Sequence, residues 1–517
     1  MLCKAFSRHF ALSVVFVYIL THPTSSRLRE GPKSIVIKVS FRYYADSKEI
    51  EKGVLVGVII KNGILVDEVM IQRADLRIEE GRIHSISAEI HPTKEDEIID
   101  ASGKYVFPGA IDSHTHLDMP FGEVKTSDDF FSGTQAAIFG GTTSIVDFAI
   151  QSKGESLKTA LNNWKKRAEK KSFCDYGFHV AITDCNQNVL NELETVPQLE
   201  GVSSLKLFLA YKGLFQVDDG VLYKVLKKSK KGKYLVALHC ENGDIIDRLS
   251  KEAVENGKVS PKFHALTRPD FVEAESISRA AHIAKFVNAE LLIVHLSSAK
   301  GLVAALEGRK KGVKIFIETC PQYLLLDDSL YEKENFEGAK YVMSPPLRKS
   351  FDNEYLWRAL SSNKIDFIGT DHCAFNFEDM KKRGINDFKN IPNGAPGIET
   401  RFSLLYTYGV AKGKISLNQF VSLLSTNAAK TLGMYPQKGN LSIGSDADIV
   451  VFDPNKEGKI THSMLHEQVD YTSYEGFDKI GEITDVMVRG ISYIRNSKWS
   501  EKSPKGQYIF RKIKEKK

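Results

Sequence analysis

Eight apolar runs, separated by stretches with helical spacing, constrain this chain more than any other feature. They are KYVFPGAID, TSIVDFAI, YGFHVAIT, SSLKLFLA, YLVALHC, ELLIVHLSS, KIFIETC and DFIGTDH, all between residues 104 and 372. The segments between them, such as SLKTALNNWKKRAEK and RPDFVEAESISRAAHIAKFV, read as amphipathic helices. Eight βα units predict an α/β fold with a (β/α)8, TIM-like barrel.

The flanks read differently. Residues 33–99 hold short β patterns, SIVIKVSF, GVLVGVIIKNG and VMIQRADLRIEEGRIHSIS, with Asn62-Gly63 and Glu80-Gly81 as turn signals. A similar pattern returns in GSDADIVVFDP (444–454) and ITDVMVRGISYIRN (483–496). Both ends therefore predict one small β-domain, from residues 31–107 and 437–496, around a barrel at 108–436. Residues 1–30 read as a leader or extension, and 497–517 as a basic tail.

Composition sets limits. Of 517 residues, 42% are hydrophobic and 26% charged, ordinary for a soluble globular protein. Lys and Arg number 71 against 65 acids, a net charge of +6. The excess sits in KKSKKGK (227–233), GRKKGVK (308–314) and RKIKEKK (511–517). Acids are interspersed elsewhere, so these read as solvated helix ends and a flexible tail, not a nucleic-acid surface. Six cysteines form no CxxC pair, which argues against a zinc knuckle or a disulfide framework. Free thiols fit a reducing compartment, and the cytoplasm is expected. Residues 1–29 lack Asp and Glu, and Lys4 and Arg8 precede an apolar run at 10–20. That is the layout of a secretory leader at residues 1–26. An organelle segment and an upstream extension compete with it. The run is short for a bilayer span, so no membrane association is expected of the mature protein.

Chemistry in such a barrel gathers at the C-terminal strand ends. The first run ends in Asp112-Ser113-His114-Thr115-His116, the fourth carries Lys206, the fifth ends at His239, the sixth at His295 and the eighth at Asp371-His372. His114 and His116 share a strand face, a spacing that suits a divalent metal. Singly, each histidine reads as well as a core residue, and Asp371 as a turn or cap residue. Their joint placement at the ends of separate strands favours one shared site.

Lys206 is the anomaly. An unpaired ammonium inside a buried strand is costly. Either it sits at the rim paired with an acid such as Asp371, or the amine is modified. Reaction with carbon dioxide gives a carbamate whose two oxygens can join two metals about 3.5–4 Å apart. The metal reading puts one ion on His114, His116 and Asp371 and a second on His239 and His295, with Lys206 between. This donor set suits two zinc ions, and manganese or iron also fit. Such a pair generates hydroxide near neutral pH, and Asp371 would relay its proton to a leaving nitrogen. The expected chemistry is hydrolysis of an amide-like or ester-like bond.

These motifs, PGAIDSHTHLDMPFG, GGTTSIVDF, SSLKLFLAYKG, ALHCENGD, IVHLSS, YVMSPPLR, GTDHCAFN and IPNGAPGIE, resemble the dihydropyrimidinase/hydantoinase family of the amidohydrolase superfamily. The resemblance covers roughly residues 50–495. It implies a barrel with a β-sandwich partner, two zinc ions, a carboxylated Lys206 and a homotetramer. It implies the metal ligands His114, His116, Lys206, His239, His295 and Asp371. It also implies that Tyr211 donates to the oxyanion, and that backbone groups of Ser344 and Asn393 hold a cyclic imide or ureide. Met119, Phe121, Phe208 and Phe215 resemble the mouth that sorts ring substituents. Cys240 and Ala374 depart from the usual pattern, where alanine and proline are commoner. The implied reaction opens dihydrouracil, dihydrothymine or hydantoins to N-carbamoyl amino acids, as in pyrimidine catabolism. Allantoinase and a non-catalytic dihydropyrimidinase-like interaction protein are the alternatives. The complete ligand set disfavours the second.

Overall fold

A computed structural model describes residues 57–512. The leader at 1–26 and the β pattern at 34–41 lie outside the described residues.

Eight parallel strands form the barrel, adjacent in chain order: Ala110–Thr115, Thr142–Ile150, Asp175–Ala181, Ser204–Phe208, Leu235–His239, Leu291–Ile293, Ile315–Thr319 and Phe367–Ile368. The ring closes where Thr115 pairs in parallel with His372, and the His116 N–H donates to the His372 carbonyl at 2.9 Å. All eight predicted runs supply barrel strands. The first run divides at Gly109. Residues Tyr105–Pro108 belong to the second sheet, and Ala110–Thr115 start the barrel. A Cβ at position 109 would lie 2.1 Å from Thr143 Oγ1, so only glycine fits the crossing.

Helices cover the strands by the expected rules. In Leu157–Ala168, Ser156 caps the N-terminus by accepting from the Thr159 N–H at 3.0 Å, and Leu157, Leu161 and Trp164 face inward. Burying one such side chain contributes about 1.5–3 kcal/mol. The basic runs at 227–233 and 308–314 end the helices Asp219–Gly232 and Ala299–Lys310, where cations favour the helix dipole.

The second unit is a nine-stranded sheet built from both chain ends. Tyr105–Pro108 pairs antiparallel with Ile449–Lys459, joining the two contributions. Leu76, Ile78 and Ile83 from one end share a core with Ile449, Val451 and Met487 from the other. The sheet therefore folds over its own apolar filling. Lys438 ties it to the barrel. This buried ammonium lies 2.7 Å from Asp175 on the third barrel strand, 2.7 Å from Asp448 and 3.0 Å from Asp446.

Two local expectations are corrected. Asn62-Gly63 is no hairpin turn. It is a bulge within Val58–Val66, with the Asn62 N–H donating to Asp75 Oδ1 at 2.8 Å. Glu80-Gly81, both at positive φ, does make a hairpin turn. Nor is the tail wholly solvated. Arg511 is fully buried, with its guanidinium donating to Ser204 Oγ at 3.0 Å and to the Phe178 carbonyl. Ser204 starts the fourth barrel strand and Phe178 lies midway along the third, so the buried guanidinium meets oxygen acceptors in place of water. The five described cysteines are free. Among the described residues, no helix is long and apolar enough to cross a membrane.

Candidate metal centre and active site

The strand ends bring His114, His116, Lys206, His239, His295 and Asp371 to one cleft, together with Tyr211, Ser344 and Asn393. Asp371 Oδ1 lies 3.1 Å from both His114 Nε2 and His116 Nε2. His239 Nδ1 and His295 Nε2 are 3.0 Å apart. Ligand atoms of His114, His295 and Asp371 lie within 4.8 Å of one another. His372 turns the other way, to Asp128 at 3.1 Å.

The backbone is bent to achieve this. Tyr211, His295 and Asp371 have φ of 66°, 40° and 54°, the left-handed region. Such residues cost of order 1–3 kcal/mol each and persist where surrounding packing holds them, often at functional sites.

Two further carboxylates orient the imidazoles. Glu318 Oε1 lies 2.7 Å from His114 Nδ1, and Ser113 Oγ donates to Glu318 Oε2 at 2.7 Å. Glu241 Oε2 lies 2.9 Å from His239 Nε2. The sequence reading omitted both. Their signal was present: a carboxylate closing the apolar run KIFIETC, and another two residues after His239. Cys373, Ile150 and Gly394 also line the cleft.

Electrostatics follow burial and these partners. Burial opposes a charge on His114, but Asp371 and Glu318 outweigh it and raise the imidazole to about 9. Burial pushes His116 down to about 4 and His295 well below its ordinary value. Burial would raise Asp371, yet His114 and His116 hold it well below the usual carboxylate range. The Tyr211 hydroxyl is raised by burial.

Lys206 has no solvent exposure and its Nζ has no hydrogen-bond partner. It lies 5.0 Å from the ring centroids of Phe148 and Phe208. Burial lowers it to about 8, so much of it is a neutral amine near that pH. His116 Nδ1 and His295 Nδ1 are also buried without partners. Native proteins rarely leave buried polar atoms unpaired. The Nε2 atoms of His114 and His116 that meet Asp371, with the unpartnered Lys206 amine in the same cleft, fit a divalent metal site.

The free space left in the cleft is about 40 Å³, under Phe121, Phe208, Tyr211 and Phe215. A larger cavity, about 800 Å³, opens near the N-terminal strand ends among Lys230, Lys233, Lys285 and Lys314. It lacks the convergent ligand set, so the smaller cleft is the candidate site.

Residues 105–492 match the model of the amidohydrolase family. The chain belongs to the amidohydrolase family. A D-hydantoinase from Geobacillus stearothermophilus is 48% identical to this amidohydrolase over 453 residues, which covers 88% of this chain and 96% of the relative. The crystal structure of a dihydropyrimidinase from Brevibacillus agri superposes with a TM-score of 0.88 at 46% identity, covering 89% of this chain and all of that one. An L-hydantoinase (dihydropyrimidinase) from Arthrobacter aurescens superposes at 0.80 with 29% identity, covering 88% of this chain and all of that one.

Proposed function

We propose that this amidohydrolase opens cyclic ureides, dihydropyrimidines or hydantoins, by hydrolysing a ring amide bond to give N-carbamoyl amino acids. The observation that carries the reading is the convergence of four imidazoles, Asp371 and the orphaned Lys206 amine in one cleft. Relatives named for these rings, at up to 48% identity among those compared, support the substrate class.

Two zinc ions, or manganese or iron, would be held by His114, His116 and Asp371 and by His239 and His295. Lys206 joins the two sets as a carbamate: its amine nitrogen bonds the carbon of CO2 and releases a proton. Paired with the two cations, the carbamate would leave no uncompensated buried charge at this position. When bound, the metals supply Lewis-acid activation of water and of the scissile carbonyl.

The chain's own groups do the rest. Asp371 takes a proton from the attacking water and returns it to the leaving ring nitrogen. The Tyr211 hydroxyl donates to the oxygen where negative charge develops. Backbone groups of Ser344 and Asn393 hold the ureide, and Met119, Phe121, Phe208 and Phe215 receive ring substituents. The free thiols support a reducing compartment such as the cytoplasm. Assembly as a homotetramer rests on the family resemblance.

A panel assay with dihydrouracil, hydantoin, a 5-aryl hydantoin and allantoin, with and without zinc, tests the reading. Turnover of dihydrouracil, of the hydantoins, or of both is expected. Turnover of allantoin alone, or of none, contradicts it.

A further inference from the structure

Lys381 is a second buried lysine, and the chemistry above does not use it. It has no solvent exposure and, among the described residues, no carboxylate partner. Its Nζ donates instead to two backbone carbonyls, Val342 at 2.9 Å and Pro392 at 3.1 Å. Burial lowers this amine to about 7, so near neutral pH it is charged only in part, and the two carbonyls satisfy its N–H groups in either state.

The two carbonyls sit in the loops that carry Ser344 and Asn393. The Val342 carbonyl also accepts the Gly394 N–H at 3.0 Å, so the loops are tied together at this point. The Lys381 segment is itself anchored. Asp470 accepts the N–H groups of Phe377 at 2.6 Å and Glu378 at 3.0 Å. The Pro392 carbonyl and the Asn393 N–H belong to one peptide unit. A hydrogen bond donated to that oxygen polarises the amide and strengthens its N–H as a donor. Among the described residues the Asn393 N–H donates to nothing.

We propose that Lys381 is a positioning residue for substrate: it sets the spacing of the Ser344 and Asn393 loops and strengthens the Asn393 N–H as a donor to the ring. This rests on the cyclic ureide reading. Such a contact would hold the ring in the bound complex and in the transition state alike. Its loss therefore removes binding shared by ground and transition states, which raises KM and spares kcat.

The test is steady-state kinetics of the zinc-loaded full chain on dihydrouracil and hydantoin, with metal content measured alongside. For Lys381→Met, KM is expected to rise about 3–10-fold, the scale of one ordinary hydrogen bond, with kcat and metal content unchanged. Lys381→Arg, which keeps N–H donors for the two carbonyls, should recover part of the loss. Lys381→Gln covers a methionine variant that fails to fold, and is read by the same split. An unchanged KM, or a fall in kcat at constant KM, overturns the proposal. A wild-type chain that opens neither ring overturns the substrate reading first, and shows itself before any variant is made.

Discussion

Glu318 Oε1 lies 2.7 Å from His114 Nδ1, leaving His114 Nε2 aimed at Asp371, 3.1 Å away. The same carboxylate oxygen accepts the His295 N–H at 3.2 Å. One buried acid thus orients a ring from the first strand and fixes the backbone at the end of the sixth. Partners of this kind typically account for 10–100-fold in metal affinity. Glu318→Gln, which keeps the shape and loses the charge, is expected to weaken metal binding by about that factor while the fold is kept. Metal titration of the stripped protein, with circular dichroism as the control, checks it. Unchanged affinity would count against the orienting role.

Tyr211 sits in a left-handed conformation over the cleft, with its ring 5.3 Å from that of His239. If its hydroxyl meets developing oxyanion charge, its removal should affect the transition state more than binding. Tyr211→Phe is expected to lower kcat by about 10²–10³-fold, with KM within a few-fold. Steady-state kinetics decide, and a variant with full kcat rejects the assignment.

Lys438 gives a stability prediction. Burial opposes its charge, but Asp448 and Asp446 outweigh burial and raise it above the ordinary 10.5. A lysine raised on folding contributes fully below the unfolded value and loses that contribution as pH rises through the folded value. Stability from this cluster should therefore hold to about pH 10.5 and fall above it. Lys438→Met leaves Asp446 and Asp448 unpaired beside Asp175, which keeps Arg489 as a partner, and should destabilise the protein by about 3–5 kcal/mol. Denaturant unfolding at neutral and alkaline pH measures both effects. A variant as stable as the parent would show that the cluster is not a lock between the two sheets.

The barrel was legible because its strands are apolar throughout and its helices are not, a contrast that survives without tertiary information. The ligands were legible for the opposite reason: His114, His116, His239, His295 and Asp371 are polar residues at the ends of apolar runs, and Lys206 is a charge inside one. Glu318 and Glu241 escaped because a single carboxylate near a strand end looks like any other. Lys381 escaped because it stands in KKR, a run that reads as solvent-facing, and only long-range folding buries it. Arg511 was misread for the same reason. Asn62-Gly63 has the local chemistry of a turn, but pairing on both sides of the strand holds it as a bulge. Ser344 and Asn393 are ordinary turn residues on their own, and only the resemblance pointed to them.

Catalysis at this site turns on the chemical state of the Lys206 side chain, which a high-resolution crystal structure of metal-loaded, catalytically active protein would reveal. Density for a carboxylated Nζ, with an oxygen toward each of two cations, is the predicted result. A bare amine beside a full metal complement in working enzyme would contradict it.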